Sequence, residues 1–161
     1  MDTAIILSFL QESLFMIVVF GCFLFYTIAK GRQSITNLIL GLYFGLLISI
    51  EFPYYNLLLG GTNNAQTEAG VMIVIFVVFA FISTLLFSRI LPREYDEKKF
   101  EGFGSKLLLA TAGTVLVMAF SFHALPVTDF ITPGSPINFL FGSEQSFFWW
   151  MIAPIVILFV V

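Results

Sequence analysis

Residues 30–34 read Lys-Gly-Arg-Gln-Ser and separate two long apolar runs, at about residues 4–29 and 35–59. Each run exceeds the roughly 20 residues that an α-helix needs to cross a bilayer. Two long helices joined by so short a connection must lie side by side and antiparallel. The sequence therefore predicts a membrane-spanning helical hairpin at the start of the chain.

The basic residues are confined to two parts of the chain. All seven Lys and Arg residues lie within residues 30–32 and 89–106, whereas the polar stretches 60–70 and 126–145 contain none. Lys and Arg accumulate in the cytoplasmic loops of multi-pass membrane proteins. We therefore predict that the turns at 30–34 and 92–104 face the cytoplasm and that the N-terminus lies outside the cell membrane.

The composition indicates one integral membrane domain over residues 1–161. The chain is 59% hydrophobic and 11% charged, whereas soluble domains carry about 25% charged residues. No clustered basic face is available for nucleic acid. One histidine, His123, and one cysteine, Cys22, are too few for a zinc or haem site, so we expect neither a metal nor another cofactor.

Three further apolar runs complete the pattern, at about residues 69–91, 105–125 and 147–161. The last contains only about 15 residues and at ~1.5 Å per residue barely crosses the hydrocarbon core. Pro53 predicts a kink or an end within the second run. The predicted fold is all-α: a polytopic bundle of four transmembrane helices with a short fifth or re-entrant segment.

Three ionisable residues lie within apolar runs and are candidates for an ion or proton site, because charges at membrane depth are costly. Glu12 precedes Lys30 by 18 residues, Glu51 follows Arg32 by 19, and His123 follows Lys106 by 17. At ~1.5 Å per residue these three groups share one level, roughly 25–29 Å from the basic boundary. The alternative is an interfacial placement in contact with water, which Pro53 and Pro126 favour for Glu51 and His123.

Small residues predict where helices approach one another. Gly41 and Gly45 form a GxxxG motif that Ser49 extends, and such a stripe lets backbones pack closely. Ala112, Ala119 and His123 lie on nearly one face of the fourth helix. We interpret the GxxxG motif as packing within one chain in preference to dimerisation.

One family resemblance follows from the order of these elements. The pattern runs from Lys30-Gly31-Arg32 through two helices and a charged turn to Phe103-Gly104-Ser105-Lys106-Leu107-Leu108. It resembles the colicin V production (CvpA-like) family over about residues 4–125. The chain departs from the family in its single glycine at the first turn, in Glu51 before Pro53 and in its Phe- and Trp-rich C-terminus. The resemblance implies a bacterial inner-membrane protein linked to toxin export or envelope integrity, and it carries over no catalytic residues.

Two functional hypotheses remain open from the sequence. The first is a non-enzymatic subunit that packs in the lipid bilayer with other membrane proteins or with copies of itself, in an envelope or secretion assembly. The second is a proton- or cation-conducting channel or transporter subunit that uses Glu12, Glu51 and His123. No nucleotide loop, Ser/His/Asp set or metal-ligand spacing is present, which weighs against an enzyme.

Overall fold

The computed structural model describes residues 3–59, 65–91, 102–125 and 140–161, with side chains from Ser13 onward. The described part of the chain is helical and contains no strand. Its helices, here named α1 to α6 in chain order, are Thr3–Lys30, Arg32–Ile50, Tyr55–Leu59, Ala65–Ile90, Phe103–His123 and Glu144–Val160. The all-α prediction is confirmed.

Four of these helices, α1, α2, α4 and α5, are long and apolar enough to cross a membrane. The shortest of them, α2, has 19 residues and is therefore about 28 Å long. Helix α6 is apolar but has 17 residues, so at about 26 Å it is shorter than a typical hydrocarbon core. The prediction of four long helices and a short fifth is confirmed.

The first turn is tighter than the predicted range 30–34, because Gly31 alone interrupts the helix. Gly31 has φ 82°, a conformation that is costly for residues with a Cβ atom. Its N–H donates to the carbonyl of Thr27 at 3.0 Å, and the hydroxyl of Ser34 donates to the carbonyl of Lys30 at 3.0 Å. These bonds satisfy two of the last four carbonyls of α1, those of Thr27 and Lys30, while α2 already begins.

Pro53 divides the predicted run 35–59 into two helices, α2 and the short α3. Proline has no N–H for the carbonyl of Ser49, and the N–H of Phe52 donates to that carbonyl instead, at 3.3 Å. The hydroxyls of Ser49 and Tyr55 then share a hydrogen bond of 2.8 Å. The chain thus turns sharply while its polar groups remain paired.

Helices α2 and α5 form the centre of the bundle. In the membrane-length apolar stretch of each helix, half of the residues of α5 and 44% of those of α2 are buried. The buried share is 17% for α4 and 6% for α1. Helix α4 packs chiefly on α2, whereas α1 and α6 pack chiefly on α5. At the centre, the ring of Phe120 makes edge-to-face contacts with Tyr43 and Phe76, each with ring centroids 6.0 Å apart. The main core joins residues of α2, α4 and α5, among them Ile35, Ile39, Leu46, Ala80, Leu109 and Leu116.

The remaining predicted boundaries differ from the structure by a few residues at helix starts. The third spanning helix begins at Ala65 and the fourth at Phe103, while the last helix begins at Glu144. Ser143 caps α6, because its hydroxyl accepts from the N–H of Ser146 at 3.1 Å. Most of the predicted turn 92–104 lies outside the described residues, as does most of the connection before α6.

Candidate functional site

The candidate site lies at one end of the bundle, where α5 ends and α6 begins. His123, the last residue of α5, is half-buried, and its Nε2 lies 2.5 Å from the carbonyl oxygen of Phe141. Its ring is 4.6 Å from the ring of Phe147. The imidazole therefore links α5 to the short segment that leads into α6.

Aromatic residues surround this link. The Trp150 indole N–H donates to the carbonyl of Leu140 at 2.8 Å, and its ring lies 5.1 Å from that of Phe141. Phe141 also stacks on Phe122 of α5 with centroids 6.0 Å apart. Because both polar ring donors find carbonyl partners, this cluster is tightly specified and orients the start of α6.

Tyr43 makes the second polar connection to α6. Its hydroxyl donates to the carbonyl oxygen of Met151, across the bundle from α2. Pro154 lies inside α6 and lacks the N–H that would bond the carbonyl of Trp150, so the helical hydrogen bonding is weakened at this turn. The Tyr43 hydroxyl thus supplies a hydrogen-bond donor to α6 at the residue that follows Trp150, whose carbonyl lacks its helical N–H partner.

An open groove of about 630 Å³ lies between these two connections. Residues of three helices line it, and nearly all of them are apolar: Tyr43, Phe44, Leu46, Leu47, Ile50, His123, Ala124, Phe147 and Met151. His123 is the one side chain with ring nitrogens among these lining residues. The groove can accept an apolar chain along its length, with one imidazole at its edge.

Of the two predicted carboxylates, only Glu51 has a side chain that the structure describes. Glu51 is exposed in the turn that follows α2, where its N–H donates to the carbonyl of Leu47 at 3.4 Å. Glu12 lies within α1, but its side chain is outside the described part of the structure. The hydrogen-bond partner of His123 is a backbone carbonyl, so Glu51 and His123 do not form a bonded pair.

The packing of α1 on α5 bears on the level of Glu12. A Cβ atom at Gly113 would lie 2.5 Å from the ring of Phe23, which fixes where the two helices meet. Residue 12 precedes Phe23 by 11 residues and Ala124 follows Gly113 by 11. Because the two helices are antiparallel, counting at ~1.5 Å per residue from this contact puts the backbone of Glu12 near the level of Ala124, the residue after His123.

The small residues of α2 pack on α4 within one chain. A Cβ atom at Gly41 would lie 2.1 Å from the Thr84 hydroxyl oxygen, and one at Gly45 would lie 2.5 Å from the Ala80 Cα. Ser49 is buried and bonded to Tyr55. On α5, Ala112 and Ala119 are both fully buried. Helix α4 thus packs directly against the GxxxG motif of α2.

The sequence analysis did not select Tyr43 and Gly113, which make specific contacts between helices, or the buried polar residue Asn37. Asn37 is 5% exposed, and its Oδ1 has no hydrogen-bond partner among the described residues. Each of these residues could have been noticed in the sequence, because each is a polar or small residue inside an apolar run. Such residues usually mark a place where helices pack closely or form a hydrogen bond. Sequence spacing alone did not reveal their partners.

The described residues contain no cluster of three or more His, Cys, Asp or Glu side chains that could hold a metal ion. Neither protein-family models, nor curated proteins, nor solved structures match this chain. The fold itself defines the class: a multi-pass membrane protein built as an all-α bundle.

Proposed function

We propose that this chain is a non-enzymatic subunit of a larger membrane assembly, in which its transmembrane helices pack against partner helices. The observation that carries the proposal is the outward face of α1. Only 6% of its apolar stretch Ser13–Lys30 is buried in the bundle. A long helix held along one side offers the rest of its surface to lipid or to another protein.

The centre of that outward face favours a protein partner. Leu14, Ile17, Val18, Phe25 and Ile28 are all more than half exposed and share one side of α1 at helical spacing. Gly21 lies in their midst, exposed and with nothing within 4 Å of the position of its Cβ. Within a membrane helix a glycine gains packing energy only where a second backbone approaches it. A partner helix over Gly21 would supply that contact.

Purification in mild detergent tests this proposal. We expect a partner, or further copies of the chain, to co-purify with the wild-type protein in a fixed ratio. The variant Gly21→Ile should lose that partner, because a branched side chain keeps the second backbone away. The matched control is Gly104→Ile, since Gly104 is also exposed with open space at its Cβ position but lies at the start of α5. A wild-type chain that purifies alone, with the mass of one protomer, would refute the proposal.

Ion or proton conduction is the second candidate function, and it is supported by the level that Glu12 shares with His123. If conduction passes this level, Glu12→Gln should abolish flux in liposomes that contain the purified protein, while insertion and assembly persist. The control is Glu68→Gln, because Glu68 is exposed in the first turn of α4. The absence of flux in the wild type, or unchanged flux in the Glu12 variant, would reject this function.

In either role, we propose a bacterial inner membrane as the location, with the N-terminus outside. The support comes from the distribution of basic residues and from the helix ends. Lys30 closes α1 and Arg32 opens α2, and the hydrogen bond of 3.4 Å from Gln33 to the carbonyl of Leu91 brings the end of α4 to the same level. The family resemblance adds envelope integrity or toxin export as the process that the assembly serves.

A further inference from the structure

The groove between α2, α5 and α6 has an outer end and a deep end. Helices α2 and α5 both begin at the basic end of the bundle and run in the same direction, so they end near each other, at Ile50 and His123, which both line the groove. The contact of His123 with Phe147 marks the outer end. The bond from Tyr43 to Met151 marks the deep end. Between residues 43 and 50 of α2, the groove therefore runs inward over about 10 Å at ~1.5 Å per residue.

The wall that α2 contributes to the groove is apolar and open to the surroundings. Phe44, Leu47 and Ile50 line it and are 48%, 61% and 60% exposed. Because α2 is long and apolar enough to cross a membrane, these side chains meet acyl chains in a bilayer. The groove volume of about 630 Å³ lies within the range of about 300–1,000 Å³ that is usual for small-molecule sites. A lipid chain can therefore lie along it.

The imidazole at the outer end has one unused hydrogen-bonding atom. The Nε2 of His123 donates to the carbonyl of Phe141, because a carbonyl oxygen only accepts. A neutral ring then has a lone pair on Nδ1, and among the described residues no donor bonds to it. The Tyr43 hydroxyl already donates to Met151, and the other lining side chains are apolar. The groove thus favours an occupant that brings its own hydrogen-bond donor to its outer end.

We propose that this groove binds a neutral lipid alcohol of the diacylglycerol class, with the lipid hydroxyl on Nδ1 of His123 and an acyl chain running inward to Tyr43. A hydroxyl donates to Nδ1, whereas ester, ether and ketone oxygens only accept and would leave it unbonded. Such a lipid has its hydroxyl at the membrane surface and its chains in the hydrocarbon, which is the polarity of the groove. None of the described lining residues belongs to α1, so this proposal does not depend on a partner helix over Gly21.

Native mass spectrometry of the detergent-solubilised full chain tests the proposal with dioleoylglycerol and its O-methyl ether. The ether has the same chains but no hydrogen to donate. We expect the wild type to bind the alcohol about 2- to 10-fold more tightly, the range of one neutral hydrogen bond. This preference should vanish in His123→Phe, which keeps an aromatic ring without a nitrogen. Because the two ligands are compared within each variant, an effect of the substitution on the fold cancels.

A diazirine in an acyl chain of dioleoylglycerol locates the bound lipid, after photolysis and peptide mass spectrometry. Labels should fall within residues 43–50 and 147–151, which include the groove walls of α2 and α6. Leu47→Trp should fill the groove, remove these labels and weaken the binding of both ligands. The matched control is Leu86→Trp, since Leu86 is 54% exposed on α4 and does not line the groove.

Four results would overturn the proposal. The first is equal binding of the alcohol and the ether by the wild type, or a preference that persists in His123→Phe. Tighter binding of oleic acid than of dioleoylglycerol would assign the groove to an anionic head group. Labels spread evenly over the exposed faces of all helices would show ordinary lipid contact without a defined site. Protection of the groove from labelling by a co-purifying protein would assign it to a protein partner.

Discussion

Gly45 lies where the backbones of α2 and α4 approach each other. A Cβ atom there would lie 2.5 Å from the Cα and 2.6 Å from the N of Ala80, and backbone atoms cannot move aside as a flexible side chain can. We therefore expect Gly45→Ala to force the helices apart and to lower the free energy of unfolding by about 1–3 kcal/mol. Thermal unfolding of the purified protein in detergent measures the change.

Gly104→Ala is the matched control for that substitution, because nothing lies within 4 Å of its Cβ position. Alanine has a higher helix propensity than glycine, by up to about 1 kcal/mol, so this variant should unfold at the wild-type temperature or above it. Equal destabilisation by the two substitutions would mean that the contact of Gly45 with α4 does not contribute to stability.

Asn37 presents the opposite case, a buried polar group that is not paired within the described residues. Replacing an unsatisfied buried amide by an apolar side chain of similar size removes a desolvation cost of about 1–3 kcal/mol. We expect Asn37→Leu to raise the unfolding temperature. The control is Ser49→Ala, which removes a buried hydroxyl that does have a partner, Tyr55, and should lower it. A destabilised Asn37→Leu protein would indicate that the amide oxygen has a partner of its own.

At this scale the sequence identifies residue types better than partners. The GxxxG motif indicated close packing at Gly41 and Gly45, and α4 is the helix that packs there. Nothing in the spacing distinguished α4 from a second chain, because both would present the same small residues. The partner of Gly113 could not be predicted either. It is the aromatic ring of Phe23, and no small-residue motif in the sequence predicts such a contact.

At the level of the helix, α6 is attached to the bundle by a few polar bonds at its start and middle. Tyr43 donates to the carbonyl of Met151 from α2, beside the turn that Pro154 weakens. In the bilayer an interhelical hydrogen bond contributes about 0.6 kcal/mol on average, and up to about 1.7 kcal/mol. We expect Tyr43→Phe to destabilise the protein by an amount in this range and to speed hydrogen exchange in α6 selectively.

Hydrogen–deuterium exchange followed by mass spectrometry resolves this effect by helix. Peptides from residues 144–160 should exchange faster in Tyr43→Phe, whereas peptides from α4 should not change. Tyr54→Phe is the matched control, since Tyr54 is 60% exposed and should leave α6 as it is. Uniformly faster exchange in all helices would instead indicate a global loss of stability, without a specific role for the phenol in attaching α6.

Helix existence and order were predictable, whereas several helix boundaries were not. Long apolar runs require helices in a bilayer, because every backbone N–H and C=O must be satisfied within the segment. The start of α2 at Arg32 depends on the positive φ of Gly31. The amino-acid composition does not predict this backbone conformation. The short helix α3 depends on how the chain folds after Pro53, where Ser49 and Tyr55 bond.

For the whole molecule, the sequence predicted the class of fold but not the arrangement of helices in the bundle. The structure places α2 and α5 at the centre and leaves α1 and α4 at the periphery, and the central pair has the lower mean hydropathy, 1.6 for each against 2.0 for α1 and 2.8 for α4. Packing order depends on which faces interlock, such as Phe23 on Gly113. The predicted site shows the same dependence, because His123 bonds to the carbonyl of Phe141 and not to a carboxylate.

The transmembrane orientation is the property on which both functional proposals depend, and cysteine labelling determines it. In a Cys22→Ser background, single cysteines in place of Asn64 and Glu97 should react with a membrane-impermeant maleimide from opposite sides. Residue 64 should be labelled in intact spheroplasts, and residue 97 only in inside-out vesicles, because basic segments are retained in the cytoplasm. Labelling of both positions from the same side would contradict the predicted topology and remove the common level of Glu12, Glu51 and His123.

A third single cysteine, in place of Val161, extends the same experiment to α6. Helix α6 is about 26 Å long, and both of its polar attachments lie at its start and middle, through Trp150 and Met151. If α6 crosses the bilayer, residue 161 should be labelled from the side of residue 97; if it is re-entrant, from the side of residue 64. Ser143→Cys is the control. It should be labelled from the same side as residue 64 in either case, since residue 143 caps the start of α6 at the predicted outer side. We expect the crossing, because the exposed side chains of Phe159 and Val160 are apolar and would be costly in water.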